Sequence, residues 1–319
     1  MRIAHGRGRN TKKIGKKVKE EERADILVVG AGHAGCEAAL VAARMGMKTC
    51  LLTMKPDEVA RLSCNPSIGG IAKSHIVREM DALGGEMARN ADFTGIQFKT
   101  LNTRKGPAVQ ANRIQCDKEA YPVRMAGVLA GQPHLTVRSG LVSGLLVKQN
   151  RVEGITLDDG TGIPARAVIL TPGTFLNGVM FIGKKQIPGG RWEDPAACGL
   201  TEQLRKMGFQ LERLKTGTPP RLHKDSLNYT RMTPQPGEEP PPFLSRSARQ
   251  EWTLFHVEQK HADASSLFHV EQTTDALRPW LPGAAQIPCY LTHTNERTHD
   301  IIARHLKESA LYGGDISGT

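Results

Sequence analysis

Aromatic residues are scarce in this 319-residue chain, at 5% of positions. That is too few for the stacking platform on which RRM-type domains lay single-stranded nucleic acid. Long apolar runs are missing as well. No stretch approaches the roughly 18 residues a membrane helix needs, so no membrane partner is expected. The first 24 residues lack the apolar segment of a signal peptide. Cysteines are few and scattered: Cys36, Cys50, Cys64, Cys116, Cys198 and Cys289 form no C-x-x-C pair. Their spacing fits neither a zinc site nor a small disulfide scaffold, so no metal is expected and the reducing cytoplasm is the expected compartment.

Positive charge and glycine are what the chain has in quantity. Of a net charge of +11, +6 lies in residues 1–23, where nine Lys/Arg face three Glu. This arm has no apolar periodicity and reads as a basic disordered extension over residues 1–24. It is expected either to touch RNA phosphates or to be added chain from an upstream start codon. Glu20 to Glu22 argue against a mitochondrial presequence, which is poor in acids. The length suits one large or two modest domains.

The pattern changes at Asp25. Ile26–Val29 is an apolar run ending in Gly30, which predicts a buried parallel strand. Gly35 to Met45 is alanine-rich and helix-forming, Gly46 stops it, and Lys48–Thr53 is a second strand. Strand, glycine turn, helix and strand make a βαβ unit. Its turn, Gly30-Ala31-Gly32-His33-Ala34-Gly35, has the G-x-G-x-x-G spacing that cradles a dinucleotide diphosphate. Gly30 permits the tight turn, Gly32 lets backbone N–H groups approach the phosphates, and Gly35 allows helix and strand to pack closely. The helix N-terminus adds partial positive charge. The ribose-binding acid expected at the end of the second strand is missing, with Thr53, Met54 and Lys55 in its place. His33 reads as a loop residue near the cofactor, with no catalytic part.

Further along, residues 63–74 and 102–113 read as structured loops, the second carrying the basic cluster Arg104, Lys105 and Arg113. His75–Leu83 and Leu200–Met207 are helix candidates. Leu135–Arg138, Leu141–Lys148, Gly154–Leu157 and Ala165–Leu170 are strand candidates, with a turn at Asn150. The last of these ends in Thr171-Pro172-Gly173-Thr174, a strand ending in Thr-x-Gly of the kind that passes near the flavin nucleotide in two-dinucleotide-binding flavoproteins. It favours FAD over NAD as the held cofactor. Residues 233–242 are a proline-rich linker or exposed loop. Leu-Phe-His-Val-Glu-Gln at 254–259 recurs at 267–272, too short a period for a solenoid, and reads as a duplicated insertion over 252–274.

Several blocks carry a closer match. Ser63-Cys-Asn-Pro-Ser-Ile-Gly-Gly70, Lys105-Gly-Pro-Ala-Val109, Gly173-Thr-Phe-Leu176, Gly189-Gly-Arg191, Leu214-Lys-Thr-Gly-Thr-Pro-Pro-Arg221 and the run from Pro288 to His299 together closely resemble the MnmG (GidA) family. The resemblance covers about residues 25–319 apart from 243–285. It implies an α/β fold: an FAD-binding, Rossmann-type doubly wound sheet over residues 25–200, with an inserted, incomplete second domain over 201–319. Relatives continue past residue 319, so the chain is expected to be truncated.

The resemblance further implies an FAD-dependent enzyme that installs an aminomethyl or carboxymethylaminomethyl group at C5 of the wobble uridine of tRNA. NADH and methylene-tetrahydrofolate would be co-substrates, and an MnmE-type GTPase and a second copy of the chain would be partners. It assigns Gly30 to Gly35 to the FAD diphosphate and Val142 to the adenine end. Position 197 contacts FAD in relatives and is commonly serine; Ala197 here leaves only a backbone contact. Uridine C5 becomes nucleophilic once a thiolate adds at C6, which requires a cysteine of lowered pKa. Cys64 matches a family cysteine important for activity, with Lys73 or His75 nearby, whereas Cys36, Cys50 and Cys198 read as core. Arg191, Lys215 and Arg221 are candidates for the nicotinamide or folate region. Two other readings are an inactive FAD- or RNA-binding remnant and the folate-dependent tRNA uridine methyltransferase, whose pattern lacks the C-N-P-S-I-G-G and K-G-P-A-V blocks.

Overall fold

A computed structural model describes residues 23–314 except 64, 193, 215, 218, 251–252 and 254–284. The basic arm before residue 23 and the duplicated hexapeptide therefore lie outside the described residues.

The apolar run becomes β1 (Ala24–Val29), followed by α1 (His33–Arg44) and β2 (Thr49–Thr53). The next elements are β3 (Ser67–Gly69), α2 (Lys73–Ala82), α3 (Met87–Phe93), β4 (Gly95–Leu101), β5 (Ala111–Cys116), α4 (Ala120–Ala130) and β6 (Leu135–Ser139). A meander follows: β7 (Val142–Lys148), β8 (Arg151–Leu157) and β9 (Gly162–Leu170). The main sheet runs β6-β2-β1-β9-β8-β7. β6, β2, β1 and β9 are parallel, while β8 and β7 are antiparallel. β9 belongs to both parts, because Gly162 to Pro164 pair with β8 and Ala165 to Leu170 pair with β1.

Side chains alternate across a strand, and β1 shows what that does here. Val28 enters one core with Leu51 of β2, the α1 residues Cys36, Ala39 and Leu40, and Tyr121, Met125 and Leu129 of α4. Leu27 and Val29 point the other way, joining Cys50, Leu52, Ile155 and Leu200. This is the Rossmann-type α/β sheet expected, with α1 and α4 on one face; the other face packs residues of the meander and α5 (Leu200–Lys206).

A second, antiparallel sheet of order β3-β5-β4 stands beside the first core. Its existence corrects the reading of 102–113 as one loop. Arg113 lies on β5, opposite Lys99 and Gly69, and only Arg104 and Lys105 sit in the preceding turn. The proline-rich stretch is held to this sheet. Glu238 N donates to Phe98 O (2.9 Å), Gln97 Nε2 donates to Gln235 O (2.8 Å), and Thr100 N donates to Glu238 Oε1 (2.7 Å). Contacts thus cross the 200/201 boundary drawn from the sequence.

The later elements are small: hairpin β10 (Val179–Ile182) with β11 (Lys185–Pro188), ribbon β12 (Thr233–Gln235) with β13 (Cys289–Leu291), and α6 (Glu296–His305), which buries no residue. Among the described residues, no helix is long and apolar enough to cross a membrane.

Candidate nucleotide-binding site

The site forms where β1 ends and α1 begins. Gly30 has φ +100°, a left-handed conformation that favours glycine, and its N–H donates to Leu52 O (2.7 Å) at the end of β2. Thr171, at the end of β9, closes the turn from the other side. Its N–H and hydroxyl both donate to Val29 O (2.9 Å each), and the hydroxyl also reaches Gly30 O (3.0 Å). A Cβ on Gly35 would collide with the Gly30 carbonyl and come within 2.8 Å of Thr171 Oγ1. Gly30 and Gly35 are thus required by the chain's own packing.

Gly32 is different. Its φ of −71° and ψ of −173° suit any residue, and a Cβ there would meet nothing within 4 Å among the described residues. It is the N-cap of α1, yet no side chain caps the helix and no acid stands in the first turn. The first-turn N–H groups of a helix have no intrahelical partner, so this end offers donors and partial positive charge to open space. The arrangement fits a diphosphate held by main-chain donors. Gly32 and Ala34 are exposed there, while Ala31 is buried.

His33 is the first residue of α1, two positions earlier than the helix start expected, so it is a helix residue and not a loop residue. Its ring packs edge-on against Tyr121 (centroids 5.6 Å, 74°), and burial lowers its pKa. That fits a structural part.

The segment after β2 folds over the glycine turn. Ala60 is fully buried and its N–H donates to Ala31 O (2.8 Å). Around it is an ion network that sequence reasoning did not anticipate. Glu58 pairs with Arg61 (2.5 Å), Lys55 (3.5 Å) and Arg191 (3.6 Å), and Asp194 pairs with Lys55 (2.5 Å) and Arg191 (3.7 Å). Arg191 also lies over the Phe175 ring at 5.3 Å. Ala197 N donates to Phe175 O (2.8 Å), and Asn177 N donates to Ala197 O (3.0 Å). The network therefore links the glycine turn to the strand-like contact that holds Ala197. The one legible signal was Lys55 where an acid is usual.

Val142 begins β7 with its side chain buried in the second core, so only its backbone is open to a ligand. Two residues earlier, Gly140 N donates to Thr53 O (2.9 Å), which keeps this stretch beside the end of β2. Cys64 and Lys215 lie outside the described residues; Arg221 donates to Ser63 O (3.3 Å), next to Cys64 in sequence. Cys36 and Cys116 are buried, and burial pushes both thiols up to about 12, which suits core residues. The core reading of Cys198 is corrected: it is exposed, in the turn before α5.

The sequence model of the family described as "Glucose inhibited division protein A" matches residues 25–272 and 256–319. The chain belongs to this family. It is 47% identical over 299 residues to the "tRNA uridine 5-carboxymethylaminomethyl modification enzyme MnmG" of Geobacter sulfurreducens, covering 93% of this chain and 43% of that protein. The protein of the same description from Myxococcus xanthus is 48% identical over 296 residues, covering 93% of this chain and 44% of that one. Among solved structures, Aquifex aeolicus GidA in its form I crystal superposes with a TM-score of 0.78 at 43% identity, over 93% of this chain and 45% of that one. The chain thus spans less than half the length of these GidA-family relatives.

Proposed function

We propose that this chain carries the flavin-binding portion of an enzyme that modifies tRNA uridine. The reading is carried by one observation: in a GidA-family chain, the uncapped α1 end and the open side of Gly32 form a cradle shaped for a dinucleotide diphosphate. FAD fits this cradle, and when bound it supplies the redox chemistry. The turn Gly30 to Gly35 would hold its diphosphate through main-chain donors, Val142 would lie at its adenine end, and Ala197 would offer a backbone contact. Thr171 contributes indirectly, by bracing the turn through Val29 and Gly30.

In the complete activity, the uridine is the wobble uridine. Methylene-tetrahydrofolate, as carbon source, and NADH would be co-substrates, and an MnmE-type GTPase and a second copy of the chain would be partners in the cytoplasm. Cys64 is the proposed nucleophile. Its thiolate adds to uridine C6, the electron pair moves onto the C4 carbonyl as an enolate, and C5 becomes able to attack the one-carbon unit. C5 bonds to the methylene carbon as that carbon's bond to one folate nitrogen breaks and the nitrogen takes a proton. Loss of the C5 proton and elimination of the thiolate restore the ring, and an amine displaces the remaining folate nitrogen.

A second reading is an FAD-binding unit without the tRNA chemistry, favoured because the described cradle accounts for a dinucleotide alone. Nucleoside mass spectrometry of tRNA from a wobble-modification mutant expressing this chain separates the two. Restored modification, abolished by Cys64→Ser, supports the enzyme. A yellow, flavin-bearing protein that leaves the uridine unmodified supports the second reading, and a protein that takes up no FAD removes both.

A further inference from the structure

The ion network beside the glycine turn is not neutral. Its linked members are three cations, Lys55, Arg61 and Arg191, against two carboxylates, Glu58 and Asp194. Asp194 is almost wholly buried and engages Lys55 and Arg191, while Glu58 is shared among all three cations. Arg61 has only Glu58 in this set and keeps 38% of its side chain exposed. It is also the cation whose place in the chain is tied most directly to the glycine turn. Ala60, its neighbour, bonds Ala31 through the backbone, and Val59 and Leu62 anchor the segment in the core. The network carries one cation more than it has carboxylates, and the segment that bears Arg61 is bonded through Ala60 to the glycine turn; there a phosphate gains from a charge-assisted, two-pronged contact.

We propose that Arg61 is a diphosphate-binding residue of the flavin nucleotide site, its guanidinium leaving Glu58 to pair with phosphate oxygens over the glycine turn. The inference rests on the FAD reading above. Glu58 pairs with Arg61 and is shared with Lys55 and Arg191, so it keeps two partners once Arg61 turns to phosphate. This side-chain charge supplements main-chain donors that would otherwise act alone, in a chain whose second strand lacks the usual ribose-binding acid.

The test is FAD affinity of the purified chain, followed by quenching of flavin fluorescence, for the wild type and three variants. Arg61→Gln should bind FAD about tenfold more weakly or worse, the size expected for losing a charged hydrogen bond. Arg61→Lys, which keeps the charge, should retain part of the affinity. Glu58→Gln removes the competing carboxylate and should bind FAD more tightly than wild type, an effect that a merely structural ion pair cannot produce and that reads out even if Arg61→Gln fails to fold. Equal FAD affinity in Arg61→Gln and wild type overturns the proposal, as does weaker or unchanged binding in Glu58→Gln. A wild-type chain that binds no FAD overturns the underlying flavin reading, a result distinct from either.

Discussion

Helices α1 and α6 are built on opposite plans. α6 is capped well: the Asn295 side chain accepts from Thr298 N (3.0 Å), Glu296 stands in the first turn, and Arg304 and His305 close the last. Each feature complements the helix ends and dipole. Yet α6 buries nothing, and Ile301 and Ile302 are exposed. α1 has no side-chain cap and no acid at its start, but it buries Cys36, Ala39, Leu40 and Ala43 against the sheet. Burial sustains α1 and leaves its N-terminus open, while among the described residues α6 has local signals and no burial. A binding helix can leave its end unsatisfied because the core, and not the cap, holds it in place.

The largest effect should separate the two helices by burial. Leu40→Ala empties a fully buried site and should cost about 2–5 kcal/mol in urea unfolding. Ile302→Ala in α6 should change stability by less than about 0.5 kcal/mol; equal losses would break the comparison.

A second test concerns the joint between the body and the later residues. Asp92 is buried on α3 and accepts from Leu244 N (3.0 Å) and Ser245 N (2.7 Å). Burial pushes its carboxyl up to about 8, although those two bonds and Arg78 pull it down and Asp81 adds to the rise. The unfolded chain releases this proton near the ordinary value of 3.8, whereas the folded chain holds it to about 8. Unfolding then releases a proton, so the Asp92 contribution to stability should fall as pH rises from about 4 to about 8 and be level above that. Asp92→Asn should remove that slope from unfolding curves measured across the range.

At the open end of α1, Gly32→Asp supplies the missing cap. The space beyond Gly32 is empty and its backbone suits any residue, so the variant should gain about 0.5 kcal/mol in stability. The same carboxylate repels a diphosphate, and FAD binding should weaken at least about tenfold. A variant that is less stable, or that binds FAD normally, would count against the site. The effect on global unfolding is smallest for Asn295→Ala, whose cost of about 1 kcal/mol falls on the local stability of α6. It should appear as lost helical circular dichroism without a shift in the main unfolding midpoint.

Much of the main sheet was legible because its strands are short apolar runs and its first turn is punctuated by glycine. The second sheet was not, because β4 (G-I-Q-F-K-T-L) and β5 (A-N-R-I-Q-C) offer neither an apolar run nor strict alternation, and β4 buries a polar residue. Gln97 is buried, with its side chain satisfied by Gln235 O and Cys289 Sγ, contacts that span long stretches of chain. α4 was missed too. Pro122 interrupts its helical pattern on paper, but it falls in the first turn, where no N–H is needed, and Asp117 accepts from Glu119 N and Ala120 N (2.8 Å each) to start the helix. Of the site, the glycines were visible and Thr171 was noticed as part of a turn. The network of Lys55, Glu58, Arg61, Arg191 and Asp194 was not, since its members lie up to 139 residues apart.

By itself the amino-acid order determined the βαβ unit, the nucleotide turn and the family, because these depend on local spacing: a run of apolar residues, three glycines, then an alanine-rich helix. Tertiary structure decided what each glycine is for. Gly30 and Gly35 answer to Thr171 and to each other, and a Cβ on Gly32 would meet nothing among the described residues. Steric need is a property of neighbours in space, and spacing along the chain cannot report it.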